Sequence, residues 1–156
     1  MLPPTSAAEG PMSKPKVMVA VFDAGSVESL VTLAGQLASG MDGDLLALHV
    51  VAVPLATPLG AADEIIDRHG NEVLSQAKRA AEKFSKPIST RLVRAREVGE
   101  AIVGEAKNLG VELVVMGYHR PHSHSLGEIL LGSTVQYVAR HAPCRVIVQI
   151  PPPQHG

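Results

Sequence analysis

A chain of 156 residues is the length of one ordinary domain, and at 46% hydrophobic and 19% charged residues it has the composition of a globular protein. A formal net charge of −1 excludes broad attraction to nucleic acid or to an anionic membrane, and the absence of Trp with only two Tyr and two Phe leaves no base-stacking platform. No apolar run approaches the roughly 20 residues of a membrane span, so no membrane insertion is expected. The lone Cys144 permits no internal disulfide and fits a reducing, cytoplasmic setting.

Residues 1–15 read as a disordered lead, rich in Pro, Ser and Ala and without the basic-then-apolar order of a signal peptide. The domain itself is expected over 16–150, with a short tail at 151–156. Val17 to Phe22 is a continuous apolar run and reads as a buried first strand. Asp23-Ala-Gly-Ser26 is a turn, with Ser26 as the N-cap of a helix whose apolar positions are Val27, Leu30, Ala34 and Leu37. Leu45 to Val51 is a second buried strand. Apolar runs covered on both faces are the mark of a parallel sheet with helices on each side.

After a Pro/Gly loop, a long helix is expected from Ala62 to Ser85, with Ile66, Val73, Ala77, Ala80 and Phe84 as its apolar stripe. Its Lys78, Arg79, Lys83 and Lys86 read as a solvated outer face. Ile88 to Arg94 alternates and therefore belongs at a sheet edge. Glu97 to Leu109 is a helix closed by Gly110. Leu113 to Met116 is a fourth strand, Ser133 to His141 a helix opened by Ser133 or Thr134 as N-cap, and Cys144 to Ile150 a fifth strand. Five strands alternating with helices make an α/β fold, a doubly wound parallel sheet.

The chemistry concentrates between Gly117 and Thr134. A strand ends at Gly117, a polar loop follows, and Gly132-Ser133-Thr134 opens the next helix. Helix amino ends carry unpaired N–H groups and about half a positive charge, which suits a phosphate. This stretch resembles the universal stress protein family, whose nucleotide-binding members read Gly-x2-Gly-x9-Gly-Ser/Thr after the fourth strand. Val114-Val-Met-Gly117 and Gly127-Glu-Ile-Leu-Leu-Gly132-Ser133 match at the two ends. The middle departs: Gly117 and Gly132 stand fifteen positions apart, where the family pattern has thirteen, and the middle glycine is replaced by Arg120 or His122 according to the end aligned.

The resemblance covers about residues 16–150. It implies the strand order 3-2-1-4-5 of an adenine nucleotide alpha hydrolase-like fold, with a crevice at the carboxyl ends of strands 1 and 4. The ligand implied is ATP or a related adenine nucleotide, with Mg as counter-ion. The contacts implied fall on Asp23, the main chain of Val50, Met116, Gly117, Tyr118, His119, Arg120, Gly132, Ser133 and Thr134. Asp23 has an equal reading as a turn or cap residue. Pro121 supplies no N–H to a phosphate loop.

Other polar residues have plainer readings. His119, His122 and His124 match no defined metal-ligand spacing and read as a solvated loop. His49 reads as a hydrogen-bonded core residue, and Cys144 as a small buried hydrophobe. No Gly-x-Ser-x-Gly elbow, no Gly-x4-Gly-Lys-Ser/Thr loop and no Gly-x-Gly-x-x-Gly after strand 1 is present, and no general base is nominated, so no catalysis is expected.

The family likeness implies a homodimer in which strand 5 pairs with its copy through Val146, Ile147 and Val148. Two functions follow as expectations. One is a regulatory module that senses an adenine nucleotide without turning it over. The other is a dimeric stress-response protein that binds no nucleotide and serves a regulatory partner or a membrane transporter as an accessory.

Overall fold

A computed structural model describes residues 14–60, 64–84, 87–118 and 132–151. In chain order the elements are β1 (Lys16–Ala20), α1 (Ala24–Gly40), β2 (Asp44–Ala52), α2 (Glu64–Ala81), β3 (Ile88–Ala95), α3 (Val98–Leu109), β4 (Leu113–Gly117), α4 (Ser133–His141) and β5 (Arg145–Gln149). A single 3-10 turn, Glu82–Phe84, extends α2. The five strands form one sheet in the order β3-β2-β1-β4-β5, every neighbouring pair parallel. Both the α/β class read from the sequence and the strand order implied by the resemblance are present.

Side-chain alternation divides the interior into two layers. Val17, Val19, Leu45, Ala47, Leu113 and Val115 pack with α1 and α2, through Leu30, Val31, Ala34, Val73 and Ala77. Met18, Ala20, Leu46, Leu48, Val114 and Met116 pack with α3 and α4, through Ile102, Ala106, Val135 and Val138. Burying each Val or Leu contributes about 1.5–3 kcal/mol, so the central strands are the stable heart of the fold. Strand β3 lies at a sheet edge, as its sequence implied, and alternates half-buried and exposed residues from Ile88 to Arg91 before becoming half-buried throughout.

Helix boundaries depart from the sequence reading in ways that local chemistry explains. Helix α1 starts at Ala24, so its N-cap is Asp23 and Ser26 lies inside the first turn. Neither Ser133 nor Thr134 caps α4; Gly132 stands at that position and makes no side-chain cap bond. Ile66, expected in the apolar stripe, is 39% exposed, whereas Val73, Ala77 and Ala80 of the same helix are buried. Cys144 is half-buried at the margin of the α3/α4 layer rather than inside it, and burial pushes its thiol up. Gly110 closes α3 in the left-handed region at φ 66, where glycine meets no Cβ penalty.

Candidate functional site at the carboxyl edge of the sheet

Each helix that joins two parallel strands must begin at the carboxyl edge of the sheet and run back to its amino edge. The amino ends of α1 and α4 therefore meet the ends of β1 and β4 on one edge. Register brings their residues together. Ala20 pairs with Met116 and with Leu48, so Asp23, Val50 and the Gly117-Tyr118 pair all lie just beyond a common row. The chain leaves the sheet in opposite directions here, since β1 connects toward β2 and β4 toward β5. Such a reversal of strand order is where open α/β sheets form a crevice.

Two hydrogen bonds fix which way the end of β2 faces. Val21 N donates to Leu48 O at 2.9 Å, so Leu48 addresses β1, and Val53 N donates to Ala95 O at 2.8 Å, so the odd-numbered residues address β3. Val50, two residues past Leu48, directs its main-chain groups toward the β1 side. There β1 has already turned away into α1. The position implied for adenine contact is thus a main-chain edge that no strand residue of β1 covers.

The two helix ends differ. Asp23 is extended (φ −128, ψ 152), and its Oδ1 accepts from Ser26 N at 3.2 Å. This bond satisfies one of the open N–H groups of α1 and fits the geometry of a side-chain N-cap. Asp23 thereby takes the capping role, using one carboxylate oxygen, while the residue stays exposed. At α4, Gly132 is also extended (φ −68, ψ 167), and the first intrahelical bond runs from Gln136 N to Gly132 O at 3.0 Å. Among the described residues no side chain caps this end. A Cβ built on Gly132 meets nothing within 4 Å among the described residues, and its backbone conformation does not demand glycine.

Gly117 serves a different purpose. Its φ is ordinary for any residue, and a Cβ there would sit 3.3 Å from Leu30 Cδ1, so it admits α1 onto β4. The close approach expected of it is to a helix. Tyr118 N donates to Gln149 O at 2.9 Å, continuing the ladder with β5, and its side chain is buried with no partner for the hydroxyl. Met116 is buried in the α3/α4 layer. His119 and Arg120 lie outside the described residues, as do His122 and His124. Among the described residues no cluster of His, Cys, Asp or Glu of metal-binding size occurs, and no helix is long and apolar enough to cross a membrane.

Sequence reasoning missed two residues on this edge. Arg96, just after β3, donates through Nη1 to the carbonyls of Val53, Pro54 and Thr57 and so ties down the β2–α2 loop. His69 of α2 reaches the Phe22 carbonyl with Nε2 at 3.2 Å. A glycine following it inside a helix was the available signal, because such a glycine marks close approach.

Comparison with known proteins gives the fold and the family. Universal stress protein A homolog 2 of Coxiella burnetii is 28% identical over 137 residues, covering 85% of this chain and 92% of the relative. The structure of the Archaeoglobus fulgidus universal stress protein in complex with dAMP superposes with a TM-score of 0.68 at 19% identity, covering 88% of this chain and 98% of that one. A universal stress protein in complex with cAMP gives a TM-score of 0.64 at 22% identity, covering 88% and 98%. The profile of the universal stress protein family matches residues 15–149, and the chain belongs to that family.

Proposed function

We propose that the chain is a regulatory module that binds ATP or a related adenine nucleotide at the carboxyl edge of the sheet and does not turn it over. The observation that carries this reading is the open amino end of α4. Among the described residues its first N–H groups have no side-chain cap and a Cβ on Gly132 would meet no atom within 4 Å, and the helix dipole favours an anion there. Ser133 and Thr134 add hydroxyl donors at the same end. The main chain of Val50 offers an edge to the base, and Asp23 keeps one carboxylate oxygen beyond its cap bond for a ribose hydroxyl. Relatives of the same fold, solved with dAMP and with cAMP, support the choice of an adenine ligand.

Val146, Ile147 and Val148 are half-buried on edge strand β5. We propose that this edge pairs with a second copy, which would cover its open main-chain groups.

The test is chromatography of the supernatant from freshly purified, denatured protein, with calorimetric titration of ATP and cAMP alongside. The expected result is an adenine nucleotide carried through purification or binding heat at a stoichiometry near one per chain. No bound nucleotide, and no heat at about millimolar ATP, a binding free energy of about −4 kcal/mol, would overturn the reading and leave a dimeric interaction protein.

A further inference from the structure

We propose that His49 and His69 form a two-histidine clamp that holds the corner between β1 and α1, acting as positioning residues for Asp23. When β1 leaves the sheet, the buried Val21 carbonyl needs a partner in place of a strand, and the Phe22 carbonyl follows it on the exposed side. Two imidazoles from different elements take over in succession. His49 Nδ1 lies 2.8 Å from Val21 O, and His69 Nε2 lies 3.2 Å from Phe22 O. A carbonyl only accepts, so each of these nitrogens carries its proton, which fixes a different tautomer on each ring. The next residue along the chain is Asp23, whose cap bond sets the start of α1.

The clamp is built into the packing. The His49 ring is 5% exposed and stands between Phe22, at a ring-centroid distance of 6.0 Å, and His69, edge-on at 5.9 Å. Gly70, in the middle of α2, makes room for it: a Cβ there would lie 2.8 Å from His49 Cδ2. His69 is exposed at its own position, so its ring reaches inward from the surface side.

The arrangement also responds to acid. Burial holds the His49 ring below its ordinary value of 6.5, a charge on His69 adds to this, and the bond to Val21 opposes it. A base whose folded value is lowered stabilises the fold fully above its unfolded value and loses that contribution as pH falls below it. Carboxylates on the flanking elements have partners, although Asp67 Oδ1 is buried without a hydrogen bond among the described residues. Asp67 of α2 pairs with Arg94 of β3, Asp23 caps α1, and Glu28 of α1 pairs with Lys83. On taking up a proton, the buried His49 ring is expected to open the corner to water.

The clamp stands whether or not a nucleotide binds; its effect on affinity rests on the function proposed above. The test uses the full chain, isotope-labelled, as wild type, His69→Ala, His69→Gln and His49→Gln. It reads the carbonyl carbon-13 shifts of Val21 and Phe22 and amide exchange at Ser26, corrected for intrinsic rates. At about pH 7.5, His69→Ala is expected to raise Ser26 exchange roughly threefold to tenfold, and His69→Gln, which keeps an N–H donor, to restore it. In the wild type the same exchange rises below about pH 6.5, and in His49→Gln that rise is absent. Unmoved Phe22 carbonyl shifts and unchanged exchange in His69→Ala overturn the clamp, and this exposed variant decides even where His49→Gln does not fold. ATP titration of the same samples separates the two ideas. A clamp that passes while no variant binds ATP sinks the nucleotide reading alone. ATP binding with an unmoved Ser26 sinks the clamp alone.

Discussion

The corners β1–α1 and β4–α4 lie on the same edge of the sheet, follow adjacent strands, and each starts a helix from an extended residue. One is closed and the other open. At the first, Asp23 caps its helix with a side-chain oxygen, two histidines hold the preceding carbonyls, and Gly70 seats one of the rings. At the second, Gly132 gives the helix no side-chain cap, and among the described residues nothing stands within 4 Å of where its Cβ would be. Free N–H groups at a helix end cost stability unless something fills them. The chain meets that cost at α1 with its own side chain and, among the described residues, leaves it standing at α4, which is what an anion site requires.

The largest expected effect comes from closing the open corner. Gly132→Asp places a carboxylate at the N-cap of α4, where it satisfies the same N–H groups and repels a phosphate. ATP affinity is expected to fall about a hundredfold or more, while the melting temperature of the empty protein holds or rises. Calorimetry and a thermal melt on the same preparation check both halves. Unchanged affinity would mean that the ligand does not use α4, and the contrast between the corners would lose its functional meaning.

The next effect comes from unseating the closed corner. In most helices Gly→Ala stabilises by about 1 kcal/mol. Gly70→Ala is expected to do the reverse and destabilise by about 1–3 kcal/mol, because its methyl would press on the His49 ring, which is held by its bond to Val21, and on Leu92. Denaturant unfolding gives the sign directly, and a stabilised variant would show that the ring is free to move. A smaller loss, about 1 kcal/mol, is expected for Asp23→Ala, since it removes the cap. Asp23→Asn keeps an acceptor oxygen and should unfold like the wild type. If the free oxygen of Asp23 also meets the ligand, ATP binding weakens in the Asn variant although stability does not, and calorimetry would show it.

These corners also mark the limit of what the sequence shows. The strands were legible because Val17 to Val21, Leu45 to Val51 and Leu113 to Met116 are apolar on both faces, a pattern that only a covered parallel sheet explains. The helix starts were not. Asp23 and Ser26 are both good caps three residues apart, and the intervening Ala24-Gly25 reads as a turn by propensity; tertiary closure of the corner lets the helix begin earlier. At α4 the preferred cap residues are Ser133 and Thr134, yet the helix takes them into its first turn and leaves the glycine outside. The clamp was least visible. Nothing local links His69 to the Phe22 carbonyl, forty-seven positions earlier in the chain, until β1 and α2 are packed against each other.

Gly117 and Gly132 bracket the same loop and look equivalent in the sequence, but they do opposite work, and the smallest expected effect separates them. Gly117 lies on the α1 side of the sheet, where its missing Cβ admits Leu30 Cδ1 to 3.3 Å. The Leu30 side chain is 2% exposed and has little room to give. Gly117→Ala therefore asks Leu30 to shift by a few tenths of an ångström, at a cost of up to about 1 kcal/mol and a drop in melting temperature of roughly 2–4 °C. The methyl points into the α1/α2 layer and away from the amino end of α4, so ATP affinity is expected to stay within about twofold, under about 0.5 kcal/mol. A thermal melt with a parallel ATP titration would establish this. The opposite pattern, with stability intact and affinity lost, would put the ligand against α1 at Gly117 and make the corner with Asp23, rather than the open end of α4, the heart of the site.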